Sequence, residues 1–248
     1  TQGVSSAASD VYKRQVPVVE RIKQLGYDGI EIPIFELDEA LYRGWSKRLD
    51  AIGLERTAVT VRGPGDNPIS PSANVRAAAV DAMKKTLDCC HAAGVKLLVG
   101  PTQAGVTIAT EYLNRFENYF LTSVAQTVAF VQAIDHPHVR MMYDTFHANI
   151  EEKSLTAAIQ AAAPWTVLVH VSENDRSIPG TGHVHWDETF DALRKVDYDG
   201  WMVVEAFGLA LPNIVAATKI WRKMFPSEDQ LAVDSLAFMK AHVARRWR

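Results

Sequence analysis

The chain has 248 residues, 48% of them hydrophobic and 22% charged, with a formal net charge of −3, the balance of one large domain with a sizeable core. That weak negative charge argues against a nucleic-acid partner or an anionic membrane surface, which need clustered Lys and Arg to displace counterions, and no run reaches the roughly 18 apolar residues of a membrane span or forms a signal-peptide core. The two cysteines, Cys89 and Cys90, are adjacent in a helical stretch; they fit neither a disulfide framework nor a zinc spacing and read as a reducing cytoplasm.

Residues 1–15, "TQGVSSAASDVYKRQ", are small and polar with little periodicity. They are expected to lie outside the fold as a leader, so that the domain spans 16–248. Helical spacing begins at Val16. From there short apolar runs alternate with amphipathic stretches. Strands are expected at Ile30–Ile34, Thr57–Val61, Lys96–Gly100, Val106–Glu111, Val139–Asp144, Val167–Val171 and Trp201–Glu205. Helices are expected at Ala73–Ala93, Phe120–Ala133, Leu155–Ala162, Trp186–Lys195 and Leu231–Val243, the last after the capping-box spacing Ser227-Glu228-Asp229-Gln230. The basic ending Arg245-Arg246-Trp247-Arg248 reads as a helix end, not a binding arm. Alternating strand and helix means a parallel sheet, either a closed α/β barrel or an open doubly wound sheet. No GxGxxG or GxxxxGK[ST] follows an early strand, so the nucleotide-binding version has no support.

Four successive runs finish on a potential metal ligand: "VTIATE" on Glu111, "VRMMYD" on Asp144, "TVLVH" on His170 and "WMVVE" on Glu205. An acidic residue often ends a strand simply because a loop begins there. Four in a row at separations of 33, 26 and 35 residues, close to the roughly 30 of a strand-plus-helix unit, place each at the same height in its strand. In a (β/α)8 barrel those ends converge on the face where catalytic groups gather. Three carboxylates and one imidazole with no thiolate make a hard, oxygen-rich site, better suited to Mn²⁺, Mg²⁺ or Co²⁺ than to structural zinc. A metal on a carbonyl and its neighbouring hydroxyl would acidify the adjacent C–H, and opposed glutamates could remove and return that proton. The implied reaction is isomerisation or epimerisation of a hydroxyketone. Glu117, His147 and Arg176 follow these ends by six, three and six residues and are expected in loops above the metal, where a polyol site needs polar groups. Each also reads as an ordinary surface or loop residue when taken alone.

"EYLNRFE", "DTFHANIEE", "HVSENDR", "PGTGHVHWDE" and "VVEAF" together resemble the ketose 3-epimerase family, typified by D-tagatose and D-psicose 3-epimerases and belonging to the xylose isomerase-like TIM barrels. The resemblance covers most of Val16–Arg248 and is strongest from Glu111 onward. It implies that Glu111, Asp144, His170 and Glu205 are metal ligands, Mn²⁺ before Mg²⁺ or Co²⁺. It also implies that Glu111 and Glu205 are the acid/base pair working through a cis-enediolate, and that Glu117, His147 and Arg176 hold a small ketose. It further implies a dimer or tetramer. Glu31, in "GYDGIEIP", is a weak site candidate, and His183 and His185 read as loop residues. Neighbouring readings are a hydroxypyruvate isomerase, a sugar-phosphate epimerase, an inosose dehydratase, or a sugar-binding barrel without turnover. A barrel AP endonuclease would need more His and acidic ligands and a basic groove, which the charge of −3 does not encourage. Arg176 is the one clear cation near the strand ends, which leans toward a free ketose over a phosphorylated one.

"LLVGPTQAGVTIATE" raises a difficulty. Parallel strands need a crossover of about a dozen residues, and the five between Gly100 and Val106 span under roughly 20 Å fully stretched. The family has a strand before its first helix and a helix between its fourth and fifth strands. An incomplete barrel of seven recognisable strands is therefore expected, with a gap or distortion around Leu97–Val106. The rival expectation is that Lys96–Gly100 is no barrel strand at all.

Overall fold

The computed structural model describes residues 16–61, 64–99, 106–210 and 212–247. The expected leader (1–15) and the short link Pro101–Gly105 lie outside these residues. The chain divides after Leu98 into two compact units, and among the described residues seven strands form.

In the first unit residues 16–25 are helical (α1), followed by β1 (Gly29–Pro33), α2 (Glu39–Ile52), β2 (Glu55–Val59), a 3-10 turn at Pro64–Asp66 and α3 (Ala73–Ala93), and the division falls within β3 (Leu97–Val99). Asp38 starts α2 by accepting the Ala40 and Leu41 N–H groups, at 2.8 and 3.3 Å, satisfying donors that a helix start leaves orphaned. Tyr42, Trp45 and Leu49 fall on one stripe and are buried. Gly53 ends α2 at φ 69 and Gly94 ends α3 at φ 70; both need the left-handed conformation that glycine adopts without a Cβ clash. At Gly94 a Cβ would also meet the Arg56 guanidinium at 2.7 Å. β1 and β2 pair in parallel, Gly29 opposite Glu55 through Pro33 opposite Val59. Leu97–Val99 is a strand with all three residues buried.

The second unit holds β4 (Thr107–Thr110), α4 (Val124–Ile134), β5 (Val139–Asp144), α5 (Thr145–Glu151), α6 (Leu155–Ala162), β6 (Thr166–Val171), α7 (Trp186–Lys195), β7 (Trp201–Val204), α8 (Pro212–Thr218) and α9 (Glu228–Arg246). β4, β5, β6 and β7 are successive parallel neighbours. Met141, Met142, Tyr143, Leu168 and Val169 are at most 1% exposed, as strands covered on both faces require. On the outer layer α7 meets α9 through aromatic packing, with the Trp186 and Phe238 rings 5.1 Å apart and Phe190 stacked on His242 at 4.5 Å.

Helix starts differ from the sequence expectation where caps decide them. α4 begins at Val124, not Phe120, because Ser123 accepts the Gln126 N–H. α9 begins at Glu228, three residues early, because Ser227 caps it through the Gln230 N–H at 3.1 Å. Among the described residues no helix is long and apolar enough to cross a membrane.

Candidate metal centre

Glu111, Asp144, His170 and Glu205 come together within the second unit, each offering a ligand atom within 4.8 Å of the others. Register produces this. β5 and β6 shift between Met141 and Met142, after which Asp144 lies directly opposite His170. Glu111 and Glu205 stand one residue past the ends of β4 and β7, and the Glu205 N–H extends the ladder to the Val171 carbonyl at 3.2 Å. His170 Nδ1 lies 3.5 Å from Asp144 Oδ2 and 3.3 Å from Glu205 Oε1.

The donor set fits a hard divalent ion. Donors each about 2.1–2.2 Å from one cation can stand no more than about 4.2–4.4 Å apart; the four candidate ligand atoms lie within 4.8 Å of one another, with His170 Nδ1 at 3.5 and 3.3 Å from Asp144 Oδ2 and Glu205 Oε1. Asp144 and His170 are at most 1% exposed, whereas the Glu111 and Glu205 side chains remain about one-fifth exposed at 20%. Three carboxylates in one low-dielectric cluster repel one another without a cation. Burial, and then the neighbouring Glu205 carboxylate, push the Glu111 carboxyl well above its usual range. Burial also acts to raise Asp144, but His147, Arg176 and His170 together outweigh it and hold Asp144 well below the carboxylate range.

Around these four sit the three other candidates. His147 lies not in a loop, as expected from the sequence, but on α5. Asp144 caps that helix by accepting the Phe146 and His147 N–H groups on Oδ1, so the chain turns helical as soon as the strand ends. The His147 ring is fully buried and its Nε2 is 3.7 Å from Glu111 Oε1. Burial pushes its pKa below the ordinary histidine value. Arg176 sits in the connection after β6 at φ 60 and is 5% exposed. Its Nη1 donates to Ser172 Oγ at 3.1 Å, to Asp144 Oδ2 at 3.4 Å and to Glu205 Oε2. Phe146 lies against its guanidinium 3.7 Å from the ring centre, with Phe207 at 5.1 Å. Glu117 closes a turn whose N–H returns to the Asn114 carbonyl. His183 and His185 are exposed, as expected of loop residues. Glu31 belongs to the first unit, where it accepts the Thr57 hydroxyl at 3.0 Å.

Sequence reasoning passed over the residues that hold this arrangement. Tyr112 donates its hydroxyl to the Asp144 carbonyl at 2.9 Å. Thr145 Oγ1 donates to the Ser172 carbonyl at 2.7 Å and accepts the Ser172 N–H at 2.8 Å, tying the ends of β5 and β6 together. Glu173, fully buried, accepts the N–H groups of Asn174, Gly180 and Val184 and the Trp186 indole N–H, at 2.8–3.0 Å. These bonds outweigh its burial and hold its carboxyl below the usual range, and they close the connection that carries Arg176 back onto α7. Only the position of Glu173, three residues past a strand-end histidine, signalled it in the sequence.

The family model for the xylose isomerase-like TIM barrel matches residues 19–104 and 101–242. The chain belongs to that family, and within it to the ketose 3-epimerases. It is 30% identical over 254 residues to a D-psicose 3-epimerase of Agrobacterium fabrum, covering 88% of each chain. It is 26% identical to a probable ketose 3-epimerase of Synechocystis sp., over 90% of this chain and 89% of that one. A crystal structure of D-psicose 3-epimerase with D-tagatose, from Clostridium cellulolyticum H10, superposes with a TM-score of 0.84 at 26% identity, over 94% of this chain and 93% of that one.

Proposed function

We propose that this chain is a divalent-metal-dependent ketose 3-epimerase acting on a free ketose of the D-tagatose, D-fructose or D-psicose type. The observation that carries the reading is the convergence of Glu111, Asp144, His170 and Glu205, two of them glutamates left partly open to an entering molecule. The relatives, named for C3 epimerisation of ketoses, support the substrate class.

A divalent cation held by the four side chains would polarise the carbonyl at C2 and the hydroxyl at C3, making the C3 proton more acidic. One glutamate carboxylate takes that proton, and the C–H electron pair becomes the C2–C3 double bond of a cis-enediolate. The other glutamate, as the acid, returns a proton to C3 from the opposite face, and the configuration inverts. Glu117, His147 and Arg176 hold the sugar's oxygens. The Arg176 guanidinium is already engaged by Asp144 and Glu205, which supports a neutral sugar over a phosphorylated one. We assign Mn²⁺ as the ion, with Mg²⁺ or Co²⁺ as substitutes. We also assign a homo-oligomer, dimer or tetramer, in the cytoplasm, a reducing compartment that suits the buried free thiols of Cys89 and Cys90.

The test is incubation of purified chain with Mn²⁺ and fructose, psicose, tagatose or sorbose, read by chromatography beside an EDTA control and the corresponding ketose phosphates. Interconversion of a C3-epimeric pair that EDTA abolishes is the expected result. Turnover of phosphates alone would transfer the reading to a sugar-phosphate epimerase, and metal uptake without any turnover would leave a binding barrel.

A further inference from the structure

We infer that Glu173 is a positioning residue: its buried carboxylate gathers the connection between β6 and α7 and so holds Arg176 in the left-handed backbone conformation from which its guanidinium reaches the candidate site. The inference deepens the proposed function and rests on its reading of Arg176 as a sugar-holding group.

Arg176 is the one arginine among the described residues at positive φ, 60. A side chain larger than that of glycine is disfavoured there by its Cβ and persists only where the surroundings over-determine it. Both of its backbone groups are committed: the N–H donates to the Glu173 carbonyl at 2.9 Å, and the carbonyl accepts the Phe207 N–H at 3.0 Å. The next residue is tied down as well, with the Ser177 hydroxyl donating to the Met224 carbonyl at 2.9 Å.

The Glu173 side chain fixes the same turn from within. Its Oε1 accepts the Asn174 and Val184 N–H groups, each at 3.0 Å. Its Oε2 accepts the Gly180 N–H and the Trp186 indole N–H, each at 2.8 Å. Three of these donors belong to "PGTGHVHW", which folds back over the carboxylate. A Cβ on Gly182 would meet Asn174 Oδ1, and Glu173 Oε1 at 2.7 Å, so the close approach needs glycine. Asn174 Oδ1 adds a second clasp by accepting the His183 N–H at 2.8 Å. None of the four partners of the carboxylate is a candidate metal ligand. The strained residue inside the closed connection is the one whose side chain reaches Asp144 and Glu205. An amide in place of the carboxylate would set an NH₂ against two of the four donors and loosen the turn.

The test reads the intraresidue amide-to-Hα NOE of Arg176, strong only at positive φ, in the metal-free full chain labelled with ¹⁵N-arginine; loss of the signal in Arg176→Lys makes the assignment. A strong NOE in the wild type that weakens in Glu173→Gln is expected, with kcat/KM for the ketose falling at least about tenfold, mainly through KM, and metal content unchanged. In an Arg176→Ala background the same substitution should cost less than about twofold more, because the group it positions is gone. Trp186→Phe removes one of the four donors and keeps an aromatic ring; it should move both readouts the same way by less, and it serves if Glu173→Gln does not fold. A weak NOE in the wild type, an unchanged NOE in the variants that fold, or losses in kcat/KM that add to that of Arg176→Ala would overturn the inference. A weakened NOE in a chain whose wild type epimerises no ketose would remove the proposed function and leave the coupling of Glu173 to Arg176 standing.

Discussion

Asp144 and His147 are joined through one oxygen of one carboxylate: Asp144 Oδ1 accepts the His147 N–H at 3.0 Å and the Phe146 N–H at 2.6 Å, leaving Oδ2 to face His170 Nδ1 at 3.5 Å. The residue that ends β5 thus starts α5 and offers a ligand atom. Substitution should separate the two tasks. Asn caps a helix about as well as Asp, whereas Ala forfeits about 1 kcal/mol, worth about 2–4 °C in a domain of this size. Metal-free Asp144→Asn should therefore melt about that much above metal-free Asp144→Ala, while both lose at least about 100-fold in metal affinity for want of a ligand. Calorimetric melting and metal titration check this; equal melting temperatures would mean the cap contributes nothing.

Glu111→Gln and Glu205→Gln keep the side-chain shape but remove a proton-transfer group along with a charged candidate ligand, so each is compared with the wild type at saturating Mn²⁺. Each should lower the epimerisation rate at least about 100-fold, the usual scale for general acid–base catalysis. Near-wild-type turnover by either variant would exclude a two-carboxylate mechanism.

Metal uptake should release a proton. Burial and the neighbouring Glu205 hold the Glu111 carboxyl well above its ordinary range in the metal-free chain, and a cation binds the ionised form. The sign follows: affinity rises with pH while Glu111 is protonated in the free chain, by about tenfold per unit at most, and levels off above its raised pKa. Titration calorimetry in two buffers of different ionisation enthalpy reads the proton count. An affinity that falls as pH rises would contradict the assignment of Glu111 as a ligand.

Arg176→Ala removes a buried guanidinium that touches Asp144, Glu205 and Ser172. For a free ketose, kcat/KM should fall with metal content retained. If ketose phosphates are the substrates, their preference over free sugars should collapse in the variant. Metal loss in Arg176→Ala would instead make the guanidinium a support of the ligands.

Much of this protein follows from its order of residues. Apolar runs of strand length between helical spacings specify β/α alternation, because period 2 and period 3.6 bury different faces, and all seven expected strands form. α6 and α7 keep their expected bounds, Leu155–Ala162 and Trp186–Lys195. The convergence of Glu111, Asp144, His170 and Glu205 was legible because spacings near that of one β/α unit put strand-end residues at one height. α5 was not, since its start signal is Asp144, a residue already claimed by a strand. Only the tertiary structure decided that Asp144 lies directly opposite His170, through a register shift that leaves no local mark. It also decided that Asn114 reaches His147 across 33 residues and that Glu173 gathers four donors from as far as Trp186. A polar side chain becomes a buried, fully satisfied organiser only through partners brought from elsewhere in the chain, and neither propensity nor periodicity encodes where those partners will be.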